Sequence, residues 1–427
     1  MQLSYTSSVV LLGLISGTRA VPFTPLQGRA VSPDNTCGTT GSGGNPNGYT
    51  CPTELPCCST NGWCGSTDAY CLSTNGCQSG FGTCTVVNVT VSIGSGGTST
   101  TDQTCGPGIG SCASNECCSL SGYCGTTEEY CRAPDCQFAY GPACDANKVP
   151  SGTNTSSIAR TPLGSVLYGS AGIYDCANAG DMALTFDDGP YIYTSHILDV
   201  LDKYNAKATF FITGNNNAKG AIDDTTLAWP ALIKYVIAVP ARSTCTLTNG
   251  RRRMYNSGHQ IASHTWSHAD LCNITSTQRK NEMYKNEMAI RNILGVIPTY
   301  MRPSPSPITR PPYSSCTAEC GCEADLQELG YHITYFDLDT SDYLNDSPTL
   351  ISNSQTIFSN AISNSNPATD EFLVIAHDIH NQTSEVLVEY MLKSATEKGY
   401  KPVTVGTCLG DDQKNWYRVD TGSVLGA

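Results

Sequence analysis

Thr185-Phe186-Asp187-Asp188-Gly189-Pro190 decides how this chain is read. The apolar run Met182 to Phe186 has the length of a short buried strand, and Gly189-Pro190 ends it in a turn. Two adjacent carboxylates at a strand mouth repel each other and lose hydration, so something must hold them there. A metal on one, leaving the other free as a base, meets that need. Taken alone, the hexapeptide favours a plainer Asx turn with solvated carboxylates. The flanking sequence shifts the balance.

On both sides of it, strand-like apolar runs alternate with helix-like segments. Strands are expected at 182–186, 208–213, 260–264, 332–338, 371–376 and 401–405. Helices are expected at 194–204, 225–235, 275–294, 319–329, 348–363 and 384–398, the third of them amphipathic and stopped by Gly295. Repeated βα units imply a parallel sheet or barrel with its chemistry at the C-terminal ends of the strands. Asp187 and Asp188 sit at such an end, and so does Ser263-His264-Thr265-Trp266-Ser267-His268. Histidines four apart on a helical turn project the same way and can share a metal at about 2.0–2.1 Å. A carboxylate from another strand end completes three ligands and leaves a position for water. A third run, Phe372 to Asp378, delivers His377 to the same rim. A lone histidine at a strand end is usually structural; three polar constellations at successive strand ends rarely are.

Together these motifs resemble the polysaccharide deacetylases of the NodB-homology type, carbohydrate esterase family 4, and within it the fungal chitin deacetylases. The match runs over roughly 176–410. The resemblance implies an α/β architecture, a distorted (β/α) barrel over 165–415, and a role for each motif. Asp188, His264 and His268 would bind a divalent metal, zinc or alternatively cobalt. Asp187 would be the general base and His377 the general acid that protonates the departing amine. An arginine from an Arg-Pro-Pro-Tyr motif would orient the base, Asp342 would tune the acid, and the Tyr313 N–H would hold the oxyanion. Tyr343 stands where the family often has Trp. The chemistry is sound on first principles: amide hydrolysis needs a polarised carbonyl, a nucleophile generated near neutral pH and a protonated leaving nitrogen.

Two stretches depart from the family. Tyr235 to Arg252 is extra, and Lys234-Tyr235-Val236 and Thr248-Asn249 can be encoded as a splice donor and a branch site. It reads as a retained intron or as a surface loop. In Met301 to Tyr313 the single Arg-Pro is doubled: Arg310 keeps the local motif, whereas Arg302 keeps the distance from the preceding helix. The local motif favours Arg310.

The N-terminal third is organised by cysteine. Of the 23 in the chain, eight fall within 37–84 and eight within 105–144, with Cys57-Cys58-Ser59 through Trp63-Cys64-Gly65 repeated as Cys117-Cys118-Ser119 through Tyr123-Cys124-Gly125. Units of about 40 residues bury too little apolar surface to fold without cross-links. The spacing resembles the hevein-type chitin-binding module, twice, at 34–84 and 105–144. That resemblance implies pairing of first with fourth, second with fifth, third with sixth and seventh with eighth cysteine. It also implies a sugar grip by Ser59, Trp63 and Tyr70, and by Ser119, Tyr123 and Tyr130. Aromatic faces stack on a sugar's apolar side and a hydroxyl meets the acetamido carbonyl. A further aromatic of that family is replaced by Asn61 and Ser121, which weakens each module and leaves the pair to compensate. Polar stretches at 85–104 and 145–164 are expected to be linkers. Among the remaining cysteines, Cys176 with Cys408 would join the two ends of the domain.

So many cysteines indicate an oxidising compartment. Residues 1–20 have the pattern of a secretory signal, although Met1 to Ser8 lacks Lys and Arg. No stretch reads as a membrane anchor, and sequons occur at Asn88, Asn154, Asn273, Asn345 and Asn381. A net charge of −13 argues against nucleic acid and suits a neutral or cationic partner. The expectation is a secreted, metal-dependent hydrolase, extracellular or in the cell wall, that removes acetyl groups from chitin or chitooligosaccharides. The alternatives are a chitin-binding protein with an impaired site, or a deacetylase of another polysaccharide.

Overall fold

The computed structural model describes residues 30–38, 48–66, 68–71, 77–84, 103–170, 172–234, 254–304 and 316–419. The signal segment, Asn88, Cys245, most of the first linker, the extra stretch after Lys234, Arg310 and Tyr313 lie outside these residues. The chain falls into two compact units, Met1–Gly94 and Ser95–Ala427.

In the larger unit, eight parallel strands form one sheet. They are β1 (Asp181–Asp187), β2 (Thr209–Ile212), β3 (Gln260–Ser263), β4 (Tyr300–Met301), β5 (His332–Ile333), β6 (Leu338–Asp339), β7 (Phe372–His377) and β8 (Lys401–Val403). Their order is β5-β4-β3-β2-β1-β7-β6, with β8 beside the start of β1. The two edge strands, β5 and β6, are separated by only residues 334–337, so the sheet must curl until its ends meet. The result is a distorted (β/α) barrel whose seam is closed by a short connection rather than by a ladder.

Side-chain alternation assigns the two faces. Met182, Leu184, Phe186, Phe210, Ile212 and Ile261 join the cluster packed under the helices. Ala183, Phe211, Ala262, Tyr300 and Leu373 form the barrel interior. The longer helices are α1 (Thr194–Lys203), α2 (Trp229–Ile233), α3 (Ser276–Leu294), α4 (Cys322–Glu328), α5 (Ile351–Ser363) and α6 (Val388–Lys398), the last preceded by a wider π turn over Thr383–Leu387. Helix α3 has both its signals: a Thr275–Gln278 capping box and Gly295 in the left-handed region at φ 80°. All six expected helices exist. The expected strand 332–338 breaks into β5 and β6 because it turns the corner of the seam.

All described cysteines are in disulfides. Both modules show the expected pairing: Cys37–Cys58, Cys51–Cys64, Cys57–Cys71 and Cys77–Cys84, then Cys105–Cys118, Cys112–Cys124, Cys117–Cys131 and Cys136–Cys144. In the barrel, Cys176 meets Cys408 as expected, and Cys272–Cys320 and Cys316–Cys322 complete the set.

The second linker is a correction. Residues 145–164 do not hang free but run along α3. Arg291 donates to the Thr153 carbonyl, Asn292 to Ser151, and Arg160 pairs with the buried Glu287. Composition concealed this because the segment docks through its backbone carbonyls. One sequon is also unsuited to a glycan: Asn345 is buried and its amide donates to Ser341 and Ser354. No helix among the described residues is long and apolar enough to cross a membrane.

Candidate active site

The inward row of each strand, continued past its end, supplies the site. Ala262 faces the barrel interior, so His264, two residues on, does too. Arg302 follows Tyr300 in the same way, and Asp187 and His377 stand opposite each other in the β1–β7 ladder. Backbone bonds from His264 to Ile212 and from Arg302 to Ser263 carry the sheet's register one residue beyond the strands. Side-chain alternation and register together thus bring four separated residues to one rim.

At its centre, one oxygen of Asp188 and ring nitrogens of His264 and His268 lie within 4.8 Å of one another. The His264 and His268 Nε2 atoms are 3.4 and 3.0 Å from Asp188 Oδ1. That buried oxygen makes no properly directed hydrogen bond. Two ligands bound at 2.0–2.1 Å to a tetrahedral ion stand about 3.4 Å apart. The His264 Nδ1–H donates to the Arg302 carbonyl at 2.7 Å, which leaves the Nε2 lone pair free. An orphaned carboxylate oxygen, a nitrogen in the right tautomer and ligand-like spacing fit a divalent cation. Burial opposes ionisation of Asp188, but the imidazoles beside it hold it well below the usual carboxylate range.

The histidine turn differs from expectation. It is not helical: Thr265 and His268 have φ of 70° and 61°, and this left-handed path, not helix geometry, brings the rings together. Glu282 on α3 fixes it, accepting from the Ser267 N–H at 2.7 Å and hydroxyl at 2.8 Å. The Trp266 ring packs so closely over Gly214 that a Cβ there would lie 2.0 Å from it.

Asp187 is flanked by Arg302, whose Nη1 donates to Asp187 Oδ1 at 2.7 Å and to Thr185 Oγ1 at 2.6 Å. The rest of the guanidinium bonds the Thr334 and Tyr335 carbonyls, and its plane lies 4.2 Å from the Phe211 ring centre. Arg302, which keeps the distance from the preceding helix, therefore holds the carboxylate, against the expectation for Arg310. The physical reason is register: one residue past β4, Arg302 falls on the inward row.

Across the rim, His377 Nδ1–H donates to Asp342 Oδ1 at 2.7 Å. The other Asp342 oxygen accepts from the His377 N–H and the Thr383 hydroxyl, each at 2.7 Å. Burial pulls the His377 imidazole down, but the Asp342 carboxylate outweighs it and pushes it up to about 10. Tyr343 stands edge-on to His377 at 5.5 Å.

Two further residues escaped the sequence reading. Lys219, buried, donates its ammonium to the Asp188 carbonyl, the Gly189 carbonyl and the Thr213 hydroxyl at 2.8, 2.8 and 2.7 Å. Asp378, also buried, packs against Gly189 and accepts from Thr194 at 2.6 Å. The adjacency of Asp378 to His377 was its only signal; Lys219 had none.

In the modules, the Ser59 and Ser119 hydroxyls accept from the Trp63 and Tyr123 N–H groups, each at 3.2 Å. Trp63 and Tyr123 are 42 and 53% exposed, while Tyr70 and Tyr130 are half-buried over Gly65 and Gly125.

The polysaccharide deacetylase family model matches residues 175–333. Over 271 residues the chain is 37% identical to a chitin deacetylase of Colletotrichum lindemuthianum, covering 62% of this chain and 92% of that one. This chain belongs to the polysaccharide deacetylase family. A second relative in the family, a chitin deacetylase of Pestalotiopsis sp, is 38% identical over 268 residues, 63% of this chain and 76% of that one. The solved structure of the Colletotrichum lindemuthianum chitin deacetylase matches this polysaccharide deacetylase with a TM-score of 0.50 at 36% identity, over 59% of this chain and 97% of that one. The chitin recognition protein model matches residues 103–144.

Proposed function

We propose that the protein is a secreted, metal-dependent deacetylase that removes N-acetyl groups from chitin or its oligomers, giving chitosan and acetate. The observation that carries this reading is the flanking of the Asp188–His264–His268 cluster by Asp187–Arg302 on one side and His377–Asp342 on the other. The substrate follows from the chitin recognition module at 103–144 and from relatives that act on chitin.

Asp188, His264 and His268 would hold zinc, or cobalt in its place. When bound, such a cation supplies Lewis acidity toward the acetyl carbonyl and lowers the pKa of water. Asp187, oriented by Arg302 rather than by Arg310, takes the proton from the attacking water. His377, kept protonated by Asp342, gives a proton to the sugar nitrogen as the C–N bond breaks. Tyr313 remains the proposed oxyanion donor. Ser59, Trp63 and Tyr70 of the first module and Ser119, Tyr123 and Tyr130 of the second would hold the polymer. The Arg302–Asp187 pair speaks against a chitin-binding protein with an impaired site.

Acetate release from chitin oligomers, measured after chelation and after zinc add-back, tests the reading. Release that falls on chelation and returns with zinc is expected. No release under any metal, with chitin binding intact, would leave the binding-protein alternative.

A further inference from the structure

The second cysteine module is joined to the loops that carry the metal-site residues. Asp145, directly after Cys144 of the module's last disulfide, accepts through its carbonyl from the Trp266 indole N–H at 3.3 Å and the Asn215 amide at 3.5 Å. The next carbonyl, of Ala146, accepts from the Lys285 ammonium at 2.7 Å. On the module itself, the Ala133 carbonyl accepts from the Asn217 N–H at 2.9 Å. Ala133, Asp145, Ala146, Asn215 and Trp266 are all buried.

These partners are not incidental to the site. Trp266 lies between His264 and His268. Asn215 to Asn217 follow Thr213, whose hydroxyl donates to the Asp188 carbonyl at 2.6 Å. Asn217 and Ala218 both adopt positive φ, 48° and 56°, a path two ordinary residues keep only where surrounding contacts impose it. The seam leaves the sugar-facing side open, since Tyr123 is 53% exposed.

We infer that the second module is a positioning element of the catalytic site as well as a sugar-binding one. The Ala133 carbonyl of the module, with the Asp145 and Ala146 carbonyls of the strap that directly follows its last disulfide, fixes the Trp266 turn and the Asn215–Asn217 loop, and through them the spacing of His264, His268 and Asp188. A module tethered only to raise the local polymer concentration leaves the rate on a short soluble oligomer unchanged. A docked one acts on every substrate. Undocking it takes away the fixed acceptors of the Trp266 and Asn215 donors and loosens both loops. Small displacements of ligands and reacting groups cost affinity and rate.

The rate readout rests on the deacetylase reading; the other readouts do not. In the full chain, Ala146→Arg drives a long side chain into the seam and Lys285→Met removes one of its donors. Hydrogen–deuterium exchange over 260–270, zinc affinity by chelator competition, and kcat and KM for acetate release from chitotriose are compared with wild type. Both variants are expected to exchange faster over 264–268, to bind zinc about tenfold more weakly, and to lose about tenfold in kcat with KM little changed. Wild-type exchange, zinc affinity and kcat in both variants would overturn the inference. Should Ala146→Arg fail to fold, Lys285→Met with Trp266→Phe decides by the same readouts. If even wild type releases no acetate, the deacetylase reading falls while exchange and zinc affinity still decide the seam.

Discussion

Arg302 Nη1 stands 2.7 Å from Asp187 Oδ1, and both side chains are almost wholly buried. A buried pair of this kind works only if each charge keeps its partner. Here the guanidinium is also fixed by two carbonyls and a hydroxyl, so the carboxylate is held in one orientation.

Arg302→Ala should therefore lower kcat by on the order of 100-fold or more, because Asp187, the proposed base, loses its orientation and counter-charge. It should also destabilise the fold by about 3–5 kcal/mol, since an unpaired carboxylate is left buried. Arg302→Lys keeps charge but not the fork of donors and is expected to recover stability better than rate. Arg310→Ala should leave both near wild type. Steady-state kinetics with thermal melts checks this, and equal losses in Arg302→Ala and Arg310→Ala would sink the assignment.

His377 and Asp342 give a pH prediction. On the proposed role of His377 as general acid, which works while protonated, activity falls as pH rises through its pKa, here about 10. In Asp342→Asn the chief raising influence disappears while burial still pulls the imidazole down. The alkaline limb of kcat should move to lower pH, and kcat should fall about 10–100-fold at neutral pH. An unmoved limb in the variant would remove Asp342 from this role. The same pair stabilises the fold fully below the free imidazole's pKa and loses that contribution as pH rises through about 10.

Lys219 acts through the backbone. Its ammonium gathers the Asp188 and Gly189 carbonyls and the Thr213 hydroxyl, which fixes the turn that aims the Asp188 carboxylate. Lys219→Met keeps the length and removes the donors, so zinc affinity should drop about 10–100-fold. Lys219→Arg should restore part of it. Competition with a chromogenic chelator measures both, and wild-type affinity in Lys219→Met would leave the residue with packing alone.

Much of this site could be seen in the sequence because it lies at strand ends. Asp187, Asp188, His264 and His377 follow apolar runs that announce where a strand stops, and parallel strands deliver their ends to one rim. The left-handed turn at Thr265 and His268 could not be seen, since neither position holds a glycine and threonine rarely adopts positive φ. Nor could Lys219, whose partners are backbone atoms brought close only by the fold. The choice between Arg302 and Arg310 needed register, which a local motif does not carry. The strap 145–164 looked like a linker for the same reason: its contacts are made by carbonyls, and every residue type has one.

The flanks of the extra stretch make the final prediction. Before it, the Leu232 and Ile233 carbonyls accept from the N–H groups of Met254 and Tyr255, just after it, at 3.3 and 3.1 Å. Ile233 and Met254 are fully buried, so both sides are anchored in the core. Deleting 235–252 puts Met254 and Tyr255 four positions after Leu232 and Ile233, so the two bonds become the i→i−4 bonds of a continued α2, with Lys234 and Arg253 as the joining residues. Loop-closure entropy favours the shorter connection by roughly 1 kcal/mol or more. The deletion variant should melt at or above the wild-type temperature and release acetate at the wild-type rate. A variant that folds but loses activity would instead show that the stretch belongs to the working site, and would turn the retained-intron reading into that of a functional loop.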